Sequence, residues 1–285
     1  MPTMRDIKGR IRSVSTTKKT TKAMNLVSSS KLQRAKIKLN RGGPFFKEIR
    51  QVVGNIIKNT DEVHPYFEKR PVKKTLIITI ANDRGLCGGY NVNICKHTFN
   101  LAKSIENEKV FYTIGNKSRD YFRRLGETSI NHISGISENP FYEDGEKIAK
   151  EIIELYENHE IDEVYIAYTE FISAINYVPS HMKLLPLSSE DFVVENDSQY
   201  IQVMGFEPNP IEVLNHILPK YITVMIYASL AESAASGQGA TMTAMDSATE
   251  NASNIIDNLT LMYNRARQGA ITQEISEIVA GANAI

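Results

Sequence analysis

Apolar residues recur along the first part of the chain in alternating steps of three and four. Met4, Ile7, Ile11 and Val14 open the stripe, and the same frame continues through polar residues at Lys18, Thr21, Asn25 and Ser28. It turns apolar again at Leu32, Ala35 and Leu39. Gly42-Gly43-Pro44 predicts a kink or break in the helix, yet the frame still lands on Phe46, Ile49, Val53 and Ile56 beyond it. A heptad stripe of this length predicts a coiled coil rather than an amphipathic helix on a small core. A second stripe passes through Ala228, Ala231, Ala235, Gln238, Met242, Met245, Thr249, Ala252, Ile256, Leu259, Tyr263, Ala266 and Ala270. Its small residues let two helix backbones approach closely. The N-terminal helix is the expected partner, either antiparallel or widely offset.

Lys220 to Ile285 contains no proline and reads as one helix, about 100 Å long at 1.5 Å per residue. A compact globule of this chain length has a radius of gyration of only about 19 Å. The helix is therefore predicted to project and to touch something else. Pro208 and Pro210 mark the start of the helical region, and Pro219 is expected to kink it early.

The middle of the chain has a different rhythm. Short apolar runs at Thr75–Ile80, Lys109–Ile114, Thr128–Ile133 and Glu163–Thr169 predict strands, with a fifth over Ala174–Leu187 interrupted by Pro179. Helical stretches fall between them at Asn91–Asn107, Ser118–Leu125 and Pro140–His159. Strands alternating with helices imply an open, largely parallel sheet. A polar connection over 188–210, with a weak strand at Tyr200–Met204, leads into the last helix. The expected domains are 1–58, 72–190 and 208–285, the last pairing with the first.

Composition refines this picture. The formal net charge is zero, but residues 1–41 hold twelve Lys/Arg against one acid, whereas 231–285 hold six acids against two arginines. A basic helix and an acidic helix attract one another and offer different surfaces to partners. No apolar run is long enough to span a membrane and no secretory signal opens the chain. The basic, Ser/Thr-rich N-terminus superficially resembles a transit peptide, but it continues as a good helix. Cys87 and Cys95 have neither redox-pair nor metal-ligand spacing.

Candidate chemistry is sparse. Asp83-Arg84-Gly85-Leu86-Cys87-Gly88-Gly89-Tyr90-Asn91 follows the first strand, where a phosphate-cradling loop would sit. It lacks the P-loop lysine and the dinucleotide glycine spacing, so a tight strand-to-helix turn is expected. His64, His97, His132, His159, His181 and His216 are scattered, with none at i, i+4 from another. No catalytic residue, metal site or cofactor is expected. The chain reads as a mechanical or binding protein. A basic N-terminal helix could also contact nucleic-acid phosphates or anionic lipid, though no aromatic or base-reading motif accompanies it.

Three stretches carry a family resemblance. Met4-Arg5-Asp6-Ile7-Lys8-Gly9-Arg10-Ile11 with Thr20-Thr21-Lys22-Ala23-Met24 is similar to the N-terminal helix of the F-type ATP synthase gamma subunit family. Asp83-Arg84-Gly85-Leu86-Cys87-Gly88-Gly89 resembles its middle turn. Tyr263-Asn264-Arg265-Ala266-Arg267-Gln268 with Ile271-Thr272-Gln273-Glu274-Ile275-Ser276-Glu277-Ile278-Val279 resembles its C-terminal signature. The resemblance implies α/β plus long helices: an antiparallel coiled coil of the terminal helices around a central Rossmann-like α/β domain. It implies a non-catalytic rotary shaft that couples ion flow through a membrane ring to conformational change in catalytic beta subunits. The implied partners are the alpha and beta subunits of the hexameric head, the epsilon subunit and the c-subunit ring. The implied location is the cytoplasmic face of the cell membrane, held there by partners. Met24, Gln268, Thr272 and Glu274 match positions facing beta; Phe206 and Glu207 match the foot near epsilon and the c ring. The polar seam residues Lys18, Thr21, Asn25 and Ser28 are then expected to face other subunits.

One departure stands out. Relatives usually read S-E-x-x-x-R-M where this chain has Ser236-Gly237-Gln238-Gly239-Ala240-Thr241-Met242. Glycine inside a helix costs roughly 1 kcal/mol relative to alanine, so this stretch is expected to be soft and less charged. No cysteine follows Cys95, so the thiol control of the chloroplast type is not expected. The alternative to the shaft reading is a nucleic-acid-binding coiled-coil protein using the basic N-terminal helix.

Overall fold

The computed structural model describes residues 3–58, 64–68, 70–188, 192 and 209–283. Helix α1 spans Met4–Lys58 and helix α5 spans Pro210–Asn283. Between them lie β1 (Lys74–Ile80), α2 (Tyr90–Ser104), β2 (Glu108–Ile114), α3 (Asn116–Arg124), β3 (Ser129–Ile133), α4 (Tyr142–Glu157), β4 (Glu163–Phe171) and β5 (Tyr177–Leu185). Phe206, Glu207 and the weak strand at 200–204 lie outside the described residues.

Both long helices start on side-chain caps. The Thr3 hydroxyl accepts from the Asp6 amide at 3.3 Å, and the Asp6 carboxylate accepts from the Thr3 amide at 3.0 Å, a reciprocal cap. Asn209 Oδ1 accepts from the Glu212 amide at 2.9 Å. The expected break at Gly42-Gly43-Pro44 does not occur, since the helix continues through it. Pro219 likewise lies inside α5 without ending it.

The chain forms two compact units, whose limits fall within both long helices: 1–28 with 241–285, and 29–240. In the second unit a five-stranded sheet has the order β3-β2-β1-β4-β5. β1, β2, β3 and β4 pair in parallel, and β5 runs antiparallel to β4. The hairpin joining β4 to β5 is too short for a parallel crossover; Ser173 and Asn176 exchange backbone hydrogen bonds across its turn. Pro179 is tolerated because β5 is an edge strand.

Central strand β1 is buried on both faces. Leu76, Ile78 and Ile80 pack with Ile148 and Ile152 of α4, Val53 and Ile56 of α1, and Leu218, Ile222 and Ile226 of α5. Ile77 points the other way, toward Phe111 and Phe122, under α2 and α3. Alternation along a strand thus feeds two layers. It also fixes the second half of α1 and the first part of α5 against one face of the sheet.

In the first unit, α1 and α5 pair antiparallel. The Thr21 and Thr249 hydroxyls meet at 2.7 Å, and Asn25 Nδ2 donates to the Met242 carbonyl at 2.9 Å. The heptad stripe is visible in the burial. On α1, Ile7, Thr21 and Ser28 are buried and Ile11, Val14, Lys18 and Asn25 half-buried. On α5, Met245 and Ala252 are buried and Met242, Thr249, Ile256, Leu259, Tyr263 and Ala266 half-buried. The polar seam therefore does not wait for other subunits. Thr21 is 9% and Ser28 5% exposed; the Thr21 hydroxyl is satisfied by Thr249 and the Lys18 carbonyl.

Candidate functional site

Two places could carry function: the strand ends of the sheet, where α/β folds hold ligands, and the ends of the paired helices. The strand order reverses direction at β1, so the crevice beyond the carboxyl ends of β1 and β4 is the expected ligand position. α5 fills it. The Thr169 amide donates to Ser233 Oγ at 3.2 Å, Ser236 Oγ donates to the Thr169 carbonyl at 3.1 Å, and Tyr90 Oη donates to the Ser233 carbonyl at 2.8 Å. The Phe171 amide donates to Glu232 at 3.3 Å. Ala240 packs with Cys87, Tyr90 and Tyr177.

This contact explains the two glycines. A Cβ at Gly237 would stand 2.8 Å from the Asn82 side-chain amide, and one at Gly239 would stand 2.8 Å from the Ala174 carbonyl oxygen. Both glycines lie where α5 passes close to the loops after β1 and β4. A glutamate at 237 would have to displace Asn82, a largely buried residue.

The glycine-containing loop after β1 is held by its own side chains. Asn91 Oδ1 accepts from the Asn82 amide at 2.9 Å, while its Nδ2 donates to the Arg84 carbonyl at 3.1 Å. Only Gly88 among its three glycines has positive φ, at 56°, and Leu86 shares that region at 65°. Asp83 is the hub. One carboxylate oxygen accepts from the Asn116 amide and side chain at 3.1 and 3.0 Å. The other accepts from the Gly135 amide and the Ser137 hydroxyl, both at 2.8 Å. One side chain thereby ties together the loops after β1, β2 and β3. Burial pushes the Cys87 thiol up and that of Cys95 to about 12, which leaves both thiols protonated and inert.

Glu232 is the carboxyl that α5 brings to this contact. Burial raises its pKa first, the Phe171 amide pulls it back, and the Glu170 charge raises it further. A raised carboxyl favours folding below the unfolded value of 4.5, and that contribution is lost as pH rises through the folded value. Glu232→Gln should therefore gain stability relative to the parent as pH rises from 4.5 to 8, read as the difference in denaturation midpoints. A difference independent of pH would show that this carboxyl titrates alike in both states.

The helix ends differ from the strand ends. Ala266 is the last half-buried position of α5, and the described side chains from Arg267 onward are exposed. They include Ile271, Ile275, Ile278 and Val279, which recur on one helical face. Gln268, Thr272 and Glu274 lie on this same exposed segment, with the Thr272 hydroxyl donating to the Gln268 carbonyl at 2.9 Å. Met24 is half-buried on α1. With Thr21 opposite Thr249, it lies roughly 30 Å along the helix axis from Gln268, so the four residues form two sites rather than one.

The ATP synthase family matches residues 3–285. The ATP synthase gamma chain of Alkaliphilus metalliredigens is 46% identical over 99% of this chain and 98% of its own length. The chain belongs to the ATP synthase gamma chain family. The gamma chain of Desulfitobacterium hafniense is 42% identical, with both chains covered in full. Among solved structures, the central stalk and c-ring of Tetrahymena thermophila mitochondrial ATP synthase matches with a TM-score of 0.64 at 26% identity, over 80% of this chain and 99% of that one. The Euglena gracilis mitochondrial enzyme matches with a TM-score of 0.69 over 99% of this chain and 94% of that one. At 14% identity, that second likeness concerns the fold. The chain is thus a gamma subunit of the central stalk of an F-type ATP synthase, and these relatives lend nothing to the nucleic-acid alternative. No helix of the described residues is long and apolar enough to cross a membrane.

One pairing was invisible in the sequence. His97 of α2 and His181 of β5 meet with Nε2 and Nδ1 3.0 Å apart. Burial lowers the pKa of His97, and the neighbouring His181 acts in the same direction. The two residues are 84 positions apart, so no local spacing could have announced them.

Proposed function

We propose that this chain is the non-catalytic rotary shaft of its complex, with the exposed end of α5 turning inside the head formed by alpha and beta subunits. The observation that carries this reading is the unpaired apolar face of Ile271, Ile275, Ile278 and Val279 beyond the last seam position. Each such side chain left in water forfeits about 1.5–3 kcal/mol of burial. A face without fixed charges can slide in an apolar sleeve. Gln268, Thr272 and Glu274 then supply the polar contacts to beta, and Met24 contacts beta at a second level along the shaft. The asymmetric shaft meets each beta subunit differently and biases its site between open and closed states. Occupation of the strand-end crevice by α5 supports a non-catalytic role. The α/β unit serves as the foot toward epsilon and the c ring, with Phe206 and Glu207 assigned there by resemblance alone. The complex then sits on the cytoplasmic face of the cell membrane.

The test is Gln268→Ala combined with Thr272→Ala in the assembled, membrane-bound enzyme. Losing two interfacial hydrogen bonds of about 1 kcal/mol each should lower ion-driven ATP synthesis about tenfold or more, with assembly intact. Unchanged synthesis would overturn the assignment of these residues to the torque-bearing contact.

A further inference from the structure

We propose that His97 and His181 form a two-imidazole site for a divalent transition metal of the zinc class, clipping edge strand β5 to helix α2. The facing nitrogens are 3.0 Å apart, with ring centroids at 5.1 Å and planes tilted by 46°. A tetrahedral zinc ion with Zn–N bonds of about 2.0–2.1 Å holds two nitrogens roughly 3.3 Å apart. To admit it the nitrogens part by about 0.3 Å and the rings turn so that both lone pairs converge on the ion. His181 is exposed on an edge strand and can make that movement. His97 is held in place because its neighbours on α2, Ile94 and Thr98, are fully buried.

Two ring nitrogens in hydrogen-bond contact require at least one of them to be unprotonated. The outer nitrogens, His97 Nδ1 and His181 Nε2, can carry the protons of both neutral rings, which is the form that ligates. The nearest cation on the strand, Lys183, is neutralised by Glu163 at 2.6 Å. Tyr165 lines the same side, its ring centroid 6.2 Å from that of His181. Among the described residues no third His, Cys, Asp or Glu completes a closed set. Water therefore fills the remaining positions, and the ion is exchangeable rather than structural.

A calorimetric titration of the untagged full chain with zinc chloride near neutral pH tests this. One equivalent of zinc should bind and raise the melting temperature, since a ligand of the folded state alone stabilises it. His97→Ala and His181→Ala should each weaken binding by about tenfold or more, at least the loss seen on disturbing a supporting shell. His181→Gln, which keeps a polar side chain at this exposed position, should behave like His181→Ala and melt as the parent does without metal. His216→Ala should bind as the parent does. Zinc retained at full affinity in the His97 and His181 variants, or no binding by the parent, would overturn the proposal.

Discussion

Asp83→Ala lowers the unfolding free energy of the chain by about 3–5 kcal/mol, an expectation built from its hydrogen bonds. The carboxylate accepts from four donors on two segments: the Asn116 amide and side chain at the start of α3, and the Gly135 amide and the Ser137 hydroxyl in the loop after β3. Hydrogen bonds to a charged group contribute about 1.5–3 kcal/mol each when buried, and less here because Asp83 is half-buried. Ser137 is only 3% exposed, so its hydroxyl would lose its acceptor without gaining full access to water. Asp83→Asn separates acceptor capacity from size. Its amide oxygen could keep the Asn116 pair, but its NH2 would then face two donors. Chemical denaturation should therefore find the asparagine variant nearly as unstable as the alanine variant. A stability within about 0.5 kcal/mol of the parent would sink the hub argument.

The second large effect is a pair of opposite signs on one helix. Gly239→Val should lose about 2–3 kcal/mol, whereas Gly269→Ala should gain up to about 1 kcal/mol. Helix propensity alone favours replacing either glycine. At Gly239 a Cβ would lie 2.8 Å from the Ala174 carbonyl oxygen, and the hairpin carrying Ala174 is closed by the Ser173–Asn176 backbone pair. Overpacking of that kind costs about 1–3 kcal/mol, and a β-branched side chain adds crowding. At Gly269 nothing lies within 4 Å, so propensity decides. Thermal melts of the isolated chain give both signs directly. A stabilised Gly239→Val variant would mean that α5 does not bear on the hairpin.

The same contrast sets the limits of what was legible. All five strands and the helices between them were readable from local apolar runs, with ends displaced by a few residues. The seam was readable as well: the heptad positions from Ile7 to Ser28 and from Met242 to Ala266 are the ones the structure withdraws from water. The polar members of that seam misled. Lys18, Thr21, Asn25 and Ser28 suggested an outward surface, but Thr21 and Asn25 find partners on α5. Gly42-Gly43-Pro44 misled in the other sense: a local preference of a few kcal/mol against helix does not interrupt α1.

The sequence by itself determined the family, the two long helices with their stripes and the βα rhythm. Each of these is written in spacing over a few turns or in a contiguous motif, because periodicity records which face of an element leaves water. Only the tertiary structure decided what covers each face. It placed α5 across the strand ends at β1 and β4, brought Gly237 and Gly239 close to Asn82 and Ala174, made Asp83 a hub, and set His97 against His181. Those contacts join residues tens to more than a hundred positions apart. Side-chain identity at one position does not specify its partner until the chain has closed the loop between them.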